Sequence, residues 1–121
     1  MRNKKNLVMV VDDDPGVRES LKFALELDGL AVDACEGGAQ LLGHPDLADA
    51  DCVILDHKMP QMDGFAVMAE LAARHIALPV IMITAPVTDA LRRRAARAGV
   101  VHVLEKPLLD DVLLKEVRRA L

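Results

Sequence analysis

Asp12 and Asp13 follow one short apolar run, Asp56 follows another, Thr84 a third, and Glu105-Lys106-Pro107 follows the last. These residue types suit phosphoryl and hard-cation chemistry. A carboxylate can ligate a divalent cation, or act as a nucleophile and form an acyl phosphate. An ammonium group can clamp phosphoryl oxygens. Carboxylates gathered in one place repel, and two of them about 4 Å apart cost on the order of 4 kcal/mol at an effective dielectric of 20. Either one is protonated or a cation sits between them. Few hard oxygen ligands beside a lysine suit Mg²⁺ that retains some of its waters. The formal charges then balance, with Asp12, Asp13 and Asp56 against Mg²⁺ and Lys106.

Singly, each residue has a plainer reading. Acidic residues after a strand often cap a helix, a role that suits Asp14. Asp56 can cap a turn, Thr84 can bond backbone at a strand end, and Lys106 can be a solvated charge. The combination at successive run ends is what points to a site, provided the fold brings those ends together.

The runs are Leu7 to Val11, Cys52 to Leu55 and Pro79 to Ile83, with weaker ones at Ala31 to Cys35 and Val100 to Leu104. Short continuous apolar runs of this kind suit strands covered on both faces of a parallel sheet. Helical spacing separates them. Val17, Leu21, Ala24 and Leu25 follow Pro15, a tolerated first-turn proline, and Asp28-Gly29 ends that helix. A short helix is expected over Gly38 to Leu42. A third covers Phe65 to Arg74, with Phe65, Met68, Leu71 and Ala72 on one face. The fourth covers Thr88 to Ala98 and stops at Gly99. Leu109, Val112, Leu113, Val117 and Leu121 mark a fifth. Strand then helix, repeated five times, predicts an α/β fold: a doubly wound five-stranded parallel sheet with five helices. In such a sheet, ligands bind beyond the carboxyl ends of the strands, where the polar residues above fall.

A chain of 121 residues fits one domain spanning 1–121. Hydrophobic residues make up 52%, which argues against disorder, whereas aromatics at 2% argue against base-stacking recognition of single strands. A net charge of -4 offers no general attraction to nucleic acid or anionic membrane. Cys35 and Cys52 read as buried free thiols. The basic-then-apolar start is too short for a signal peptide or a membrane span, so a cytoplasmic protein is expected. His44, His57, His75 and His102 lack metal-ligand spacing, and His57 should point away from Asp56. Arg92, Arg93, Arg94 and Arg97 form either a solvated face or a partner surface.

VVDDD, ILDHKMPQMDGF, IMITA and LEKP, in that order, resemble the receiver domains of two-component response regulators, of CheY-like fold and FixJ- and NtrC-type flavour. The resemblance runs from Leu7 to Leu121, and the stretch from Asp56 to Gly64 is the most specific part. It implies a flavodoxin-like (βα)5 switch rather than an enzyme with external turnover. Asp56 would accept phosphate from a sensor histidine kinase. Asp12, Asp13, Asp56 and the backbone carbonyl of Lys58 would hold Mg²⁺. Thr84 would swing its hydroxyl onto the phosphoryl group, Ala85 would keep the approach open and lend its N–H, and Lys106 would pair with phosphoryl oxygens. A cis bond to Pro107 would fix Lys106. The fourth helix and fifth strand would serve dimerisation or control of an output domain, and any C-terminal output domain of a longer protein would lie outside these residues. Two departures stand out. Val103 occupies the position of the family's usual Phe or Tyr, so the threonine–aromatic coupling is not carried over, and Pro86 removes a backbone donor near the site. A pseudo-receiver that binds partners without phosphorylation is the alternative. An aspartate-nucleophile phosphatase would need an acid two residues after Asp56, where Lys58 stands.

Overall fold

In a computed structural model, which describes residues 5–108 and 110–121, all five apolar runs become strands. The order is β1 (Leu7–Val11), α1 (Pro15–Leu27), β2 (Ala31–Cys35), α2 (Gly38–Leu42), a 3-10 turn at Leu47–Asp49, β3 (Cys52–Asp56), α3 (Gly64–Ala73), β4 (Val80–Thr84), α4 (Asp89–Ala98), β5 (His102–Glu105) and α5 (Asp110–Ala120). The strands pair in parallel in the order β2-β1-β3-β4-β5. The most continuously apolar runs therefore occupy the three central places, where both faces are covered.

Alternation along the strands divides the core in two. Met9, Val11, Val53, Leu55, Val80 and Met82 face the side covered by α2, α3 and α4. Val8, Val10, Cys52, Ile54, Ile81 and Ile83 face α1 and α5, meeting Leu21, Leu25, Leu113 and Val117. Register matters for the site: Asp56 lies beside Ile83, and Thr84 beside Glu105, so the ends of β3, β4 and β5 align at one edge.

Local signals account for most helix ends. The Asp14 side chain accepts from the N–H groups of Gly16 and Val17, Asp63 accepts from Ala66, and Thr88 accepts from Leu91. Gly99 ends α4 in the left-handed region, with φ 94. Gly64 opens α3 hard against the end of β3. A Cβ there would lie 2.9 Å from Met82 Cε and 3.0 Å from His57 Cα.

Several expectations shift. β5 starts at His102 rather than Val100, because the Val100 N–H is still closing α4 onto Ala95 O at 3.0 Å. β4 and α3 shift by one residue from the expected bounds. Ala24 in α1 and Ala72 in α3 are exposed. Val67 is buried, because α3 is wedged between α2 and α4. In α5, Leu113 and Val117 are buried and Val112 is exposed; Leu121, just past the helix end, is exposed as well, and Leu109 lies outside the described residues. Cys35 and Cys52 are buried free thiols, and burial pushes them up to about 11 and about 12. Among the described residues, no helix is long and apolar enough to cross a membrane.

Candidate functional site

The carboxyl ends of β1, β3, β4 and β5 enclose a cavity of about 280 Å³ lined by Asp12, Asp13, Asp14, Asp56, Lys58, Thr84, Ala85 and Lys106. Asp12 continues β1 and its N–H donates to Cys35 O at 3.1 Å. Its carboxylate, wholly buried, accepts from the Asp14 N–H at 2.9 Å and from Lys106 Nζ at 3.0 Å. Lys106 Nζ also lies 3.2 Å from Asp56 Oδ1, so a single ammonium bridges two buried carboxylates. The Lys106 backbone is held as well: its N–H donates to Thr84 O at 2.8 Å, and the peptide bond to Pro107 is cis. Asp13 is exposed, yet one oxygen from each of Asp12, Asp13 and Asp56 lies within 4.8 Å of the others.

The charges do not balance within the protein. Burial first, and the charge of Asp12 second, push the Asp56 carboxyl up to about 6, with only partial relief from Lys106. Burial works against the charged lysine, but its hydrogen bond to Asp12 and the charges of Asp56 and Asp12 outweigh that and raise its pKa. Three carboxylates against one ammonium leave room for two further positive charges, and all three offer hard oxygen donors. That donor set fits Mg²⁺.

Thr84 is buried, and its hydroxyl has no hydrogen-bond partner among the described residues. An unpaired buried hydroxyl is costly, so its position beside the cavity suits a ligand oxygen arriving there. Across the cavity, Lys58 Nζ donates to Ala85 O at 2.7 Å. Ala85 is joined to Pro86 by a second cis peptide, which nothing in the sequence pattern signals. Glu105 accepts from the Val87 N–H at 3.2 Å and ties the loop after β4 to β5. Arg18 Nη1, from α1, donates to Asp12 O at 2.8 Å. Sequence reading assigned no role to Glu105 or Arg18, although Glu105 stands within the motif and Arg18 lies one helical turn after the Asp14 cap.

The remaining candidates fall elsewhere. Val103 is buried on the α4 side of the sheet, and its carbonyl accepts from Arg92 Nη1 at 3.3 Å. His57 continues the alternation of β3 and packs edge-on to Phe65, with ring centroids 4.7 Å apart. The Arg94 guanidinium stacks over the same Phe65 ring at 4.0 Å. All four basic residues on α4 are exposed, and two of them, Arg92 and Arg94, also have structural partners. His44 does approach two carboxylates, Asp33 and Asp46, a grouping the sequence spacing hides. Its Nδ1 accepts from the Asp46 N–H at 3.0 Å, so in the neutral ring the hydrogen sits on Nε2, facing Asp33 Oδ2 at 3.7 Å. Neither nitrogen then offers a free lone pair to a metal. A larger groove of about 700 Å³ between α1 and Pro107-Leu108 shares Asp14 and Lys106 with the site but gathers no cluster of titratable groups.

Comparison with known proteins agrees with this geometry. The family model for the response regulator receiver domain matches residues 8–118. The chain is similar to the transcriptional regulatory protein FixJ of Azorhizobium caulinodans, with 38% identity over 114 residues, covering 94% of this chain and 54% of that protein. It is equally similar to the C4-dicarboxylate transport transcriptional regulatory protein DctD of Pseudomonas aeruginosa, with 38% identity over 120 residues, covering 94% of this chain and 25% of the relative. The chain thus spans about half or less of the length of these relatives. Among solved structures it resembles the chemotaxis protein CheY4 of Vibrio cholerae, with a TM-score of 0.89, 27% identity, and coverage of 98% of this chain and 100% of that one.

Proposed function

Because the chain belongs to the response regulator receiver domain family, we propose that it is a signalling switch that takes a phosphoryl group onto Asp56 from the phosphohistidine of a sensor histidine kinase in the cytoplasm. The observation that carries this reading is the bridge made by Lys106 Nζ, 3.0 Å from Asp12 and 3.2 Å from Asp56, beside a buried threonine hydroxyl with no partner. The family supplies the class of reaction; the residues supply the roles.

An oxygen of Asp56 attacks phosphorus, the P–N bond of the phosphohistidine breaks, and its electron pair stays on the imidazole nitrogen. The product is an acyl phosphate on Asp56. Lys106 is already placed to follow the charge as it moves from the carboxylate to the phosphoryl oxygens, so little reorganisation is needed. Asp12, Asp13, Asp56 and the Lys58 carbonyl would hold Mg²⁺. Bound there, the cation would supply the positive charge that makes a triply acidic pocket receptive to an anionic donor. Ala85 presents a small side chain at the mouth and lends its N–H, and Thr84 turns its hydroxyl to a phosphoryl oxygen, gaining the partner it otherwise lacks.

The readout follows from the same movement. When Thr84 turns, the loop held by Lys58 and Glu105 follows, and α4 and β5 present a changed surface to a second copy or to an output segment of a longer protein. Phosphate incorporation from acetyl phosphate with Mg²⁺, followed by intact mass, tests the acceptor. A Mg²⁺-dependent gain is expected in the parent and none in Asp56→Asn. No gain in the parent, or an equal gain in the variant, overturns the proposal.

A further inference from the structure

Asp12 is wholly buried, and each of its polar groups is engaged. Its N–H reaches Cys35, Oδ1 receives the Asp14 N–H, Oδ2 receives Lys106, and its carbonyl receives Arg18. Three of these four partners come from the immediate site or the neighbouring strand. The fourth comes from within α1: Arg18, half-buried, closes the helix onto its cap through its own N–H to Asp14 O at 3.0 Å and then sends its guanidinium back to Asp12 O at 2.8 Å. One side chain thus spans the turn that carries Asp12, Asp13 and Asp14. Fixing the carbonyl of Asp12 fixes the peptide plane between Asp12 and Asp13, and with it the direction in which Asp13 leaves the chain. Asp13 has greater need of such support, because it is exposed and takes part in none of the hydrogen bonds or ion pairs resolved around the site.

We propose that Arg18 is a positioning residue for the cation site, holding the Asp12–Asp13 peptide so that both carboxylates converge with Asp56. The inference rests on the receiver-domain reading of the site. Its electrostatic sign makes it testable. Arg18 brings positive charge to an acidic pocket, so by charge alone its removal should tighten cation binding. By positioning, its removal should loosen it, because carboxylates that do not converge lose affinity. Supporting groups behind metal ligands commonly contribute about 10-fold or more in affinity.

The experiment is Mg²⁺ titration of the whole chain by calorimetry, without phosphodonor, for the parent, Arg18→Met and Arg18→Lys. Thermal melts establish folding, and amide hydrogen exchange is read at Asp14, whose N–H rests on Asp12 Oδ1. Arg18→Met is expected to bind Mg²⁺ about 10-fold more weakly, with faster exchange at Asp14. Arg18→Lys, which keeps the charge but loses the planar fork, should fall between it and the parent. Unchanged or tighter binding by a folded Arg18→Met overturns the inference, as does a lowered melting temperature with unchanged Mg²⁺ affinity. If Arg18→Met does not fold, Arg18→Lys decides: weaker binding supports the inference and parental binding overturns it. A parent that binds no Mg²⁺ overturns the receiver reading itself, whereas failure of the variants alone sinks only the role of Arg18.

Discussion

On the β1 side of the pocket every polar group of Asp12 has a partner, whereas on the β3–β4 side Thr84 Oγ1 is buried without one among the described residues. The first side is a closed network that joins β1, α1 and the end of β5. The second is bounded by a loop held by one lysine and one glutamate, Lys58 on Ala85 O and Glu105 on Val87 N, both exposed. Exposed charged contacts contribute little and break easily, while a saturated buried network resists change. On the proposed function, the difference divides the labour: the Asp12–Lys106 side would keep its geometry as a phosphoryl group arrives, and the Thr84 side would move to meet it.

The largest effect that would break this comparison is expected at Asp56. Asp56→Asn should abolish phosphate incorporation, and it should also change the pH dependence of stability in the absence of Mg²⁺. The folded carboxyl titrates at about 6, above its ordinary value of 3.8, so the folded state holds its proton more tightly than the unfolded chain. That stabilisation is fully present below the unfolded value and is lost as pH rises through about 6. Urea melts should therefore show the variant more stable than the parent at neutral pH, by roughly 1–3 kcal/mol, with the gap closing toward pH 4. A gap independent of pH would mean that burial and the neighbouring charge of Asp12 do not raise the Asp56 carboxyl.

Lys106→Met tests the closed side. It leaves the buried Asp12 and Asp56 carboxylates without their shared ammonium, and a loss of about 3 kcal/mol is expected in denaturant melts at neutral pH. A loss near zero would show that solvent screens the pair and that the network does not anchor the site. Val103→Phe probes the movable side. It adds a ring to a position only 6% exposed, where overpacking should cost about 2 kcal/mol. If the ring also restores a coupling to Thr84, acyl-phosphate lifetime and phosphorylation-dependent dimerisation should both change; unchanged kinetics and dimerisation would show that Val103 plays no part in the switch.

The smallest effect is expected at Thr84→Val, which removes a hydroxyl that has no partner while keeping its shape. The unphosphorylated protein should become more stable by roughly 1 kcal/mol, while the phosphorylated form loses its change at the surface of α4. Destabilisation instead would mean that the hydroxyl already has a partner and that the two sides are alike.

Much of this was legible in the order of residues. Continuous apolar runs at Leu7 to Val11 and Cys52 to Leu55 point to central parallel strands, because strands covered on both faces omit polar residues. Asp14-Pro15, Thr88 and Gly99 declare helix ends through their own backbone chemistry. Ala24 and Ala72 misled because alanine is apolar yet too small to declare a buried face by itself. His44 and its two carboxylates were hidden because Asp33 lies on a strand and the other two residues in a following loop, a meeting that no spacing rule describes.

By itself, then, the sequence determined the alternation of strands and helices, the sheet edge at which chemistry must occur, and the identity of the groups gathered there. All three follow from periodicity and from the polar residues that end each apolar run. Tertiary structure alone decided that Lys106 bridges Asp12 as well as Asp56, that Arg18 reaches back to the Asp12 carbonyl, that Lys58 grips Ala85, and that Thr84 is left without a partner. The physical reason is reach. A hydrogen bond is made or missed within a few tenths of an ångström, and separations of that order are set by sheet register, helix docking and loop conformation acting together, none of which is local in the chain.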